Sequence, residues 1–437
     1  MNTGLVRNVK RIDKIYLYIS LSLFLFLFIF FILIKVEMFQ SMDSSIQNSL
    51  QPDYSDFNDI KIPKFISVIY YFNKIYVPYS IIIIVNNFSN IYNIFNLFQI
   101  LSITCYISCI LKFIFYKIIN NENKNPLIYY CGEGWNLPST EMMISVVFYL
   151  TLWDAFFNHK EKYANQTKKV FKFVFLFIII GINIINLIFL TKIGYYLFSH
   201  LLFSILLGIL IYIFVFKTNI VKYFNSRQFC IFIKKKFQFY MLVNIILLIL
   251  TFLPYNIERN IKSNDNDPEC ISIDGSFFYK SKSPFKTYVD DTYSLISIFF
   301  AHIFFVVGIK CELAFFFENH IQNFEQYHFG FDEDELNNER ESNNKTATII
   351  VTRETEWNNT TLIKSLIRLF LTFVLAGICF LPYFLINKDG VDFSTIFLIK
   401  YFLSYFLFSF GISFLYKIIF RVFKLSNEIL GSILNDQ

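Results

Sequence analysis

Charge is scarce in this sequence. Only 16% of its 437 residues are Asp, Glu, Lys or Arg, while 55% are hydrophobic and 20% aromatic. That balance excludes an ordinary soluble globular domain and makes lipid the solvent for most of the chain. Cysteine is sparse too. The seven are scattered, mostly within apolar runs, with no CxxC pair and no zinc spacing, so neither a metal site nor a cofactor is expected. Cys131 and Cys270 fall on the same expected side of the membrane, which leaves either a disulfide or two free thiols open. Gly and Pro number 13 and 9 and cluster in one loop only. The net charge of +6 sits in short loops, which makes it a topology signal rather than a nucleic-acid footprint.

What is abundant is apolar run length. A spanning helix needs about 20 apolar residues, and on that criterion spans are expected at 15–36, 66–85, 91–118, 142–157, 170–190, 193–216, 237–253, 292–316, 362–386 and 395–420. The segments 66–85 and 142–157 are the weakest, with a re-entrant or interfacial path as the alternative. The run 15–36 is too long for a signal peptide, and Glu37-Met38-Phe39-Gln40 offers no small-residue cleavage site, so it reads as an uncleaved anchor.

Lys and Arg concentrate in cytosolic loops. The loops 158–169 and 217–236 carry Lys160, Lys162, Lys168, Lys169, Lys217, Lys222, Arg227, Lys234, Lys235 and Lys236. Placing them inside puts the amino end in the cytosol and the acidic loops 37–65 and 254–291 outside it. The triplets at Asn87, Asn165, Asn344, Asn358 and Asn359 then face the cytosol and should carry no glycan. The connection 317–361, with Asp332-Glu333-Asp334-Glu335, reads as a solvated cytosolic loop. Lys310 and Glu312 lie near the cytosolic boundary, where snorkelling is the expected behaviour.

One loop carries chemistry: Cys131-Gly132-Glu133-Gly134-Trp135-Asn136-Leu137-Pro138-Ser139-Thr140-Glu141, leading into a span. Pro and Ser at a helix start present backbone N–H groups and a hydroxyl, which suits an anion or an ordinary cap. A second element, Tyr195-Tyr196-Leu197-Phe198-Ser199-His200, opens another span and is followed by Ser204 and Gly208. An ionisable residue there is a functional candidate, with a structural hydrogen-bond donor as the alternative.

These elements resemble the glucose-6-phosphatase branch of the type-2 phosphatidic acid phosphatase superfamily. Cys131, Gly134, Pro138 and Ser139 match the family pattern C-x-x-G-x-x-x-P-S-G-H. Tyr196, Leu197 and His200 match the end of its S-R-x5-H motif, with Gly208 eight residues on. The stretch from Cys270 to Ser283-Pro284-Phe285 resembles the branch's lumenal loop. The resemblance implies an all-α polytopic membrane protein: a nine-helix bundle over 66–420, preceded by a cytosolic segment 1–14, an extra anchor 15–36 and a lumenal loop 37–65, and followed by a cytosolic tail 421–437. It also implies an endoplasmic reticulum or other endomembrane, on resemblance alone, since no KDEL-type ending or dilysine signal stands at Leu434-Asn435-Asp436-Gln437.

In the family one histidine attacks phosphorus, a second protonates the leaving alcohol, and Lys and Arg hold the phosphate. Bidentate guanidinium contacts suit a dianionic ester. Here His200 holds the nucleophile position, Glu141 replaces the general-acid His, and Thr140 replaces the adjacent Gly. The motif Arg falls on Gly194. In the best register of the first motif, Cys105 replaces Lys, Lys112 replaces Arg and Phe113 replaces Pro; Ser204 stands at the family's Asp. Ser139, Thr140 and Lys112, with Lys192 in reserve, are the expected phosphate-binding residues.

Losing one oxyanion-type donor costs about 10²–10³ in rate, and misplacing an acid or base about 10²–10⁴. An ionised Glu141 would also repel phosphate. The expectation is therefore a phosphatase fold with a degenerate site, a pseudoenzyme whose partners are the bilayer and a phosphorylated sugar or lipid. The alternative is a working sugar-phosphate or lipid-phosphate monoesterase with His200 as nucleophile and Glu141 as acid. A transporter is the third reading, against which stands the lack of an inverted repeat.

Overall fold

The computed structural model describes residues 2–36, 38–50, 76–88, 91–119, 137–157, 166–193, 196–217, 236–247, 249–250, 270–274, 277–281, 300–312, 314, 361–385 and 395–425. Among them, five helices are long and apolar enough to cross a membrane: Ile15–Lys35, Val170–Thr191, Phe198–Val215, Leu362–Cys379 and Phe402–Val422. They coincide with five of the expected spans. Shorter apolar helices, Leu97–Lys112 and Lys236–Leu247, overlap two others. The chain is a helical membrane protein.

In chain order the elements are α1 (Asn2–Lys35), α2 (Gln40–Leu50), α3 (Tyr76–Phe88), α4 (Ile91–Ile119), α5 (Thr140–Phe157), α6 (Gln166–Ile193) and α7 (Phe198–Ile211), which continues as a π-helical segment, Tyr212–Lys217. Then come α8 (Lys236–Leu247), β1 (Cys270–Asp274), β2 (Phe277–Ser281) and α9 (300–312). The last are α10 (Leu362–Cys379), α11 (Leu381–Leu385), α12 (Thr395–Phe410), a second π segment (Gly411–Leu415) and α13 (Tyr416–Val422).

The architecture is helical as expected, with one local exception among the described residues, the antiparallel pair β1–β2, in register from Cys270 opposite Ser281 to Asp274 opposite Phe277. Ile271 and Ile273 alternate with polar residues, the pattern of a half-buried strand. Boundaries shift as well. The span expected from 193 starts at Phe198, the one expected to 386 breaks at Phe380, and the one expected to 420 ends at Val422.

Lipid offers no partner to a hydroxyl, so the buried Ser and Thr residues turn back onto their own helices. Ser20, Thr104, Thr191, Ser204, Thr372, Ser409 and Ser413 each donate to the carbonyl four residues earlier.

The chain divides into two compact units. The first comprises Met1–Tyr79, Ile100–Lys222 and Leu247–Phe299. Its core joins α1, α4, α5 and α7 through Leu27, Phe30, Ile100, Phe115, Met143, Val147, Phe203 and Leu207. Gly208 permits the close contact of α7 with α5, since a Cβ there would lie 3.2 Å from the Val146 side chain. Antiparallel α5 and α6 are joined by Ser145 Oγ donating to Asn183 Oδ1 (2.9 Å) and Trp153 Nε1 donating to the Lys172 carbonyl (3.1 Å). The anchor α1 turns Leu17, Phe24, Phe28 and Ile32 outward and packs on α7, with Phe30 stacked on Phe203 at 6.3 Å.

The second unit comprises Ser80–Gln99, Tyr223–Ile246 and Phe300–Gln437. Phe304 meets Phe402 and Phe406 edge-on, and Phe98 stacks on Phe305 at 4.6 Å. Gly308 lies directly against Ser413, and at Gly411 a Cβ would come within 2.7 Å of the Tyr416 ring. Glu312 does not snorkel: it is 1% exposed and lies 3.8 Å from Lys417 Nζ and 3.6 Å from Arg421 Nη2. The Lys310 ammonium sits 4.0 Å over the Phe237 ring. A lone carboxylate in an apolar interior is costly, and two cations at short range offset that cost.

Candidate functional site

The polar residues singled out in the sequence gather in the first unit, where α5 and α7 begin side by side. Ser139 precedes α5, and its Oγ accepts from Met142 N at 3.4 Å, the position of an N-cap. Its own backbone N–H donates to Ser204 Oγ at 2.7 Å, and Ser204 in turn donates to the His200 carbonyl at 2.7 Å. One hydroxyl therefore couples the two helix starts, and the Ser139 N–H is already spent.

Thr140 and Glu141 leave α5 about 100° apart and meet different neighbours. Thr140 Oγ1 is buried and lies 2.6 Å from Ser108 Oγ on α4. Glu141 Oε2 accepts from Tyr196 OH at 2.7 Å and from Ser139 Oγ at 3.4 Å. A carboxylate in the first turn of a helix is favoured by the partial positive charge there. Glu141 thus occupies, with an anion of the chain's own, the Ser139 hydroxyl, one of the donors expected to face a phosphate.

His200 is the third residue of α7, and its Nδ1 is enclosed with no hydrogen-bond partner. A nucleophilic imidazole ordinarily has its second nitrogen held by an acceptor that fixes the ring and tautomer, and none is present here among the described residues. The residue before it is held instead. Leu197 occupies the N-cap of α7 and has no side chain able to cap. Asp43 of α2 takes over: Oδ1 accepts from Ser199 N at 2.9 Å and Oδ2 from Ser199 Oγ at 2.6 Å. Burial raises the Asp43 pKa above its ordinary 3.8, against the lowering effect of both Ser199 bonds.

Lys112 is 8% exposed on α4, one turn beyond Ser108 and on the same face. The buried thiols of Cys105 and Cys109 lie on the same helix. Among the described residues no Lys or Arg pairs with Glu141 or with the His200 ring. No group of three or more His, Cys, Asp or Glu is placed to hold a metal ion among them either.

The structure thus links Ser139, Glu141 and the His200 backbone through Tyr196 and Ser204, and pairs Thr140 separately with Ser108. Lys112 is brought one helical turn from that pair. Cys131, Gly134 and Gly194 lie outside the described residues, as do the side chains of Phe113, Lys192 and Cys270. Sequence reasoning missed Asp43, Ser199 and Ser108. Asp43 is one of several acids in its loop, and no local pattern connects it with a serine 156 residues away.

Compared with known proteins, the chain matches no protein-family profile, no curated protein and no solved structure.

Proposed function

We infer that the chain is a glucose-6-phosphatase-like membrane protein whose catalytic site is dismantled, and that it binds a phosphorylated sugar or lipid, or a membrane partner, without hydrolysing it. The observation that carries this reading is the state of the paired helix starts. The α5 and α7 starts lie together, joined through Ser204, and carry Ser139 and His200. Their donors are spent on the chain's own carboxylates and hydroxyls: Ser139 N on Ser204, Ser139 Oγ on Glu141, and Ser199 N on Asp43. A phosphoryl-transfer site needs those donors free and aimed at developing charge, with a cation fork around them.

The resemblance and the Lys and Arg distribution of the loops favour a multi-pass protein of the endoplasmic reticulum or another endomembrane. In that reading the amino end is cytosolic and the paired helix starts are lumenal.

The test is phosphate release from glucose 6-phosphate and from a phosphatidic acid by purified wild type and His200→Ala in detergent. Background release by both proteins, each folded, is expected. Turnover by wild type that is lost in His200→Ala overturns the inference and establishes a working monoesterase, with Glu141 the next residue to replace.

A further inference from the structure

The α1–α2 hairpin precedes the helices that the phosphatase resemblance covers, yet it is built into the end of the unit where His200 lies. Two kinds of contact hold it there. The first is apolar: Phe30 stacks on Phe203 at 6.3 Å, and Phe39, in the turn between α1 and α2, lies 5.0 Å from Phe30. The second is polar: Asp43, 5% exposed, grips Ser199 through both carboxylate oxygens.

α2 also lies beside α6, but its own surface offers little apolar area to hold it. Its sequence Gln-Ser-Met-Asp-Ser-Ser-Ile-Gln-Asn-Ser-Leu is mostly polar, and Ser44 and Ser49 bond only back onto α2. An 11-residue helix of that composition is marginal alone, so its docking depends on the contacts it makes.

Helical register places His200 on the face of α7 that packs with α1, half-buried and with its Nδ1 enclosed. On α7 it lies three residues before Phe203 and seven before Leu207, which pack with α1, and four before Ser204, which meets α5. Its flanks are therefore the α1-covered face and the α5-covered face. Its neighbour in sequence is the serine that Asp43 holds.

We propose that the α1–α2 hairpin is a strap over the start of α7, latched by Asp43 on Ser199, whose release opens access to His200. The strap is a property of the chain whether or not a phosphorylated ligand is what His200 meets. Access is read chemically, so a failure of the strap and a failure of the functional reading are separable.

The experiment uses full-length protein in detergent, treated with diethyl pyrocarbonate, with carbethoxylation followed residue by residue by mass spectrometry. Wild type is compared with Asp43→Asn, Asp43→Ala and Ser199→Ala. His302, buried in the second unit, reports any general loosening. Expected is a rise of roughly tenfold in His200 labelling in Asp43→Ala, the factor carried by one charge-assisted hydrogen bond, with smaller rises in the other two variants and His302 unchanged. Equal His200 labelling in all four proteins overturns the proposal, as does a parallel rise of His200 and His302. Should the single variants fold poorly, the pair Asp43→Cys with Ser199→Cys replaces the latch by a bond that oxidation closes. His200 labelling must then be low when the pair is oxidised and high after reduction; labelling indifferent to the pair's redox state overturns the strap.

Discussion

The backbone N–H of Ser139 donates to the hydroxyl of Ser204 at 2.7 Å across 65 residues of sequence, and both groups are buried. This bond, rather than any salt bridge, fixes the start of α5 against α7. Ser204 Oγ is also a donor to the His200 carbonyl, so one hydroxyl serves two helices. Replacing it strands a buried N–H. Ser204→Ala should cost about 1–3 kcal/mol, seen as a lowered thermal midpoint in detergent. Ser204→Thr, which keeps the hydroxyl, should lose less. An unchanged midpoint in Ser204→Ala would mean that the Ser139 N–H has another partner.

Tyr196 and Glu141 should be energetically coupled. The phenol donates to Oε2 at 2.7 Å at a site that is only partly buried, which places the coupling near the lower end of charged hydrogen bonds, about 1–1.5 kcal/mol. A double-mutant cycle of Tyr196→Phe and Glu141→Gln, read by unfolding midpoints, measures it. Additive losses would show that the two side chains stabilise their helices independently.

Asp43 should leave a signature in the pH dependence of stability. Burial raises its pKa in the folded protein above 3.8, so between that value and the raised one the folded state holds more protons than the unfolded. Stability then falls as pH rises through that window and levels off above it. The difference between wild type and Asp43→Asn, followed from pH 3.5 upward, should show this slope only in wild type. A difference curve that rises with pH would mean that the Ser199 bonds outweigh burial.

Asn186 lies on α6 one turn beyond Asn183. It is 1% exposed, and neither its amide oxygen nor its amide nitrogen has a partner among the described residues. An unsatisfied buried amide is costly, so Asn186→Leu, close in size and fully apolar, should stabilise the protein by about 1–3 kcal/mol. A fall in midpoint would indicate that bound water or a ligand satisfies the amide.

The paired starts of α5 and α7 were half legible. Pro138-Ser139 before an apolar run marked a helix start because a cap is a local interaction: Ser139 Oγ needs only the third residue ahead. His200 stood out because an ionisable group entering a span is rare. What each residue touches was not legible. Thr140 and Glu141 were both expected to face a phosphate, but successive residues on a helix point about 100° apart, so one meets Ser108 and the other Tyr196. The acid Glu312 was expected to reach outward because its sequence position suggests the boundary. Its two cations come from α13 and become its neighbours only on packing. The pair β1–β2 was not legible because two five-residue strands carry too little alternation to stand out from a loop until they pair.

The sequence by itself determined that the chain lives in lipid and where its principal spans run, because burying apolar length in a bilayer is a property of each segment alone. The runs at 15–36 and 170–190 could scarcely be anything else. Only the tertiary structure decided that Asp43 caps α7, that Ser204 joins α7 to α5, and that Glu141 is held by Tyr196. These pairings span 156, 65 and 55 residues. Each arises because a polar group excluded from water must find whatever partner packing brings to it, and packing is set by the apolar faces around it rather than by the polar residues themselves.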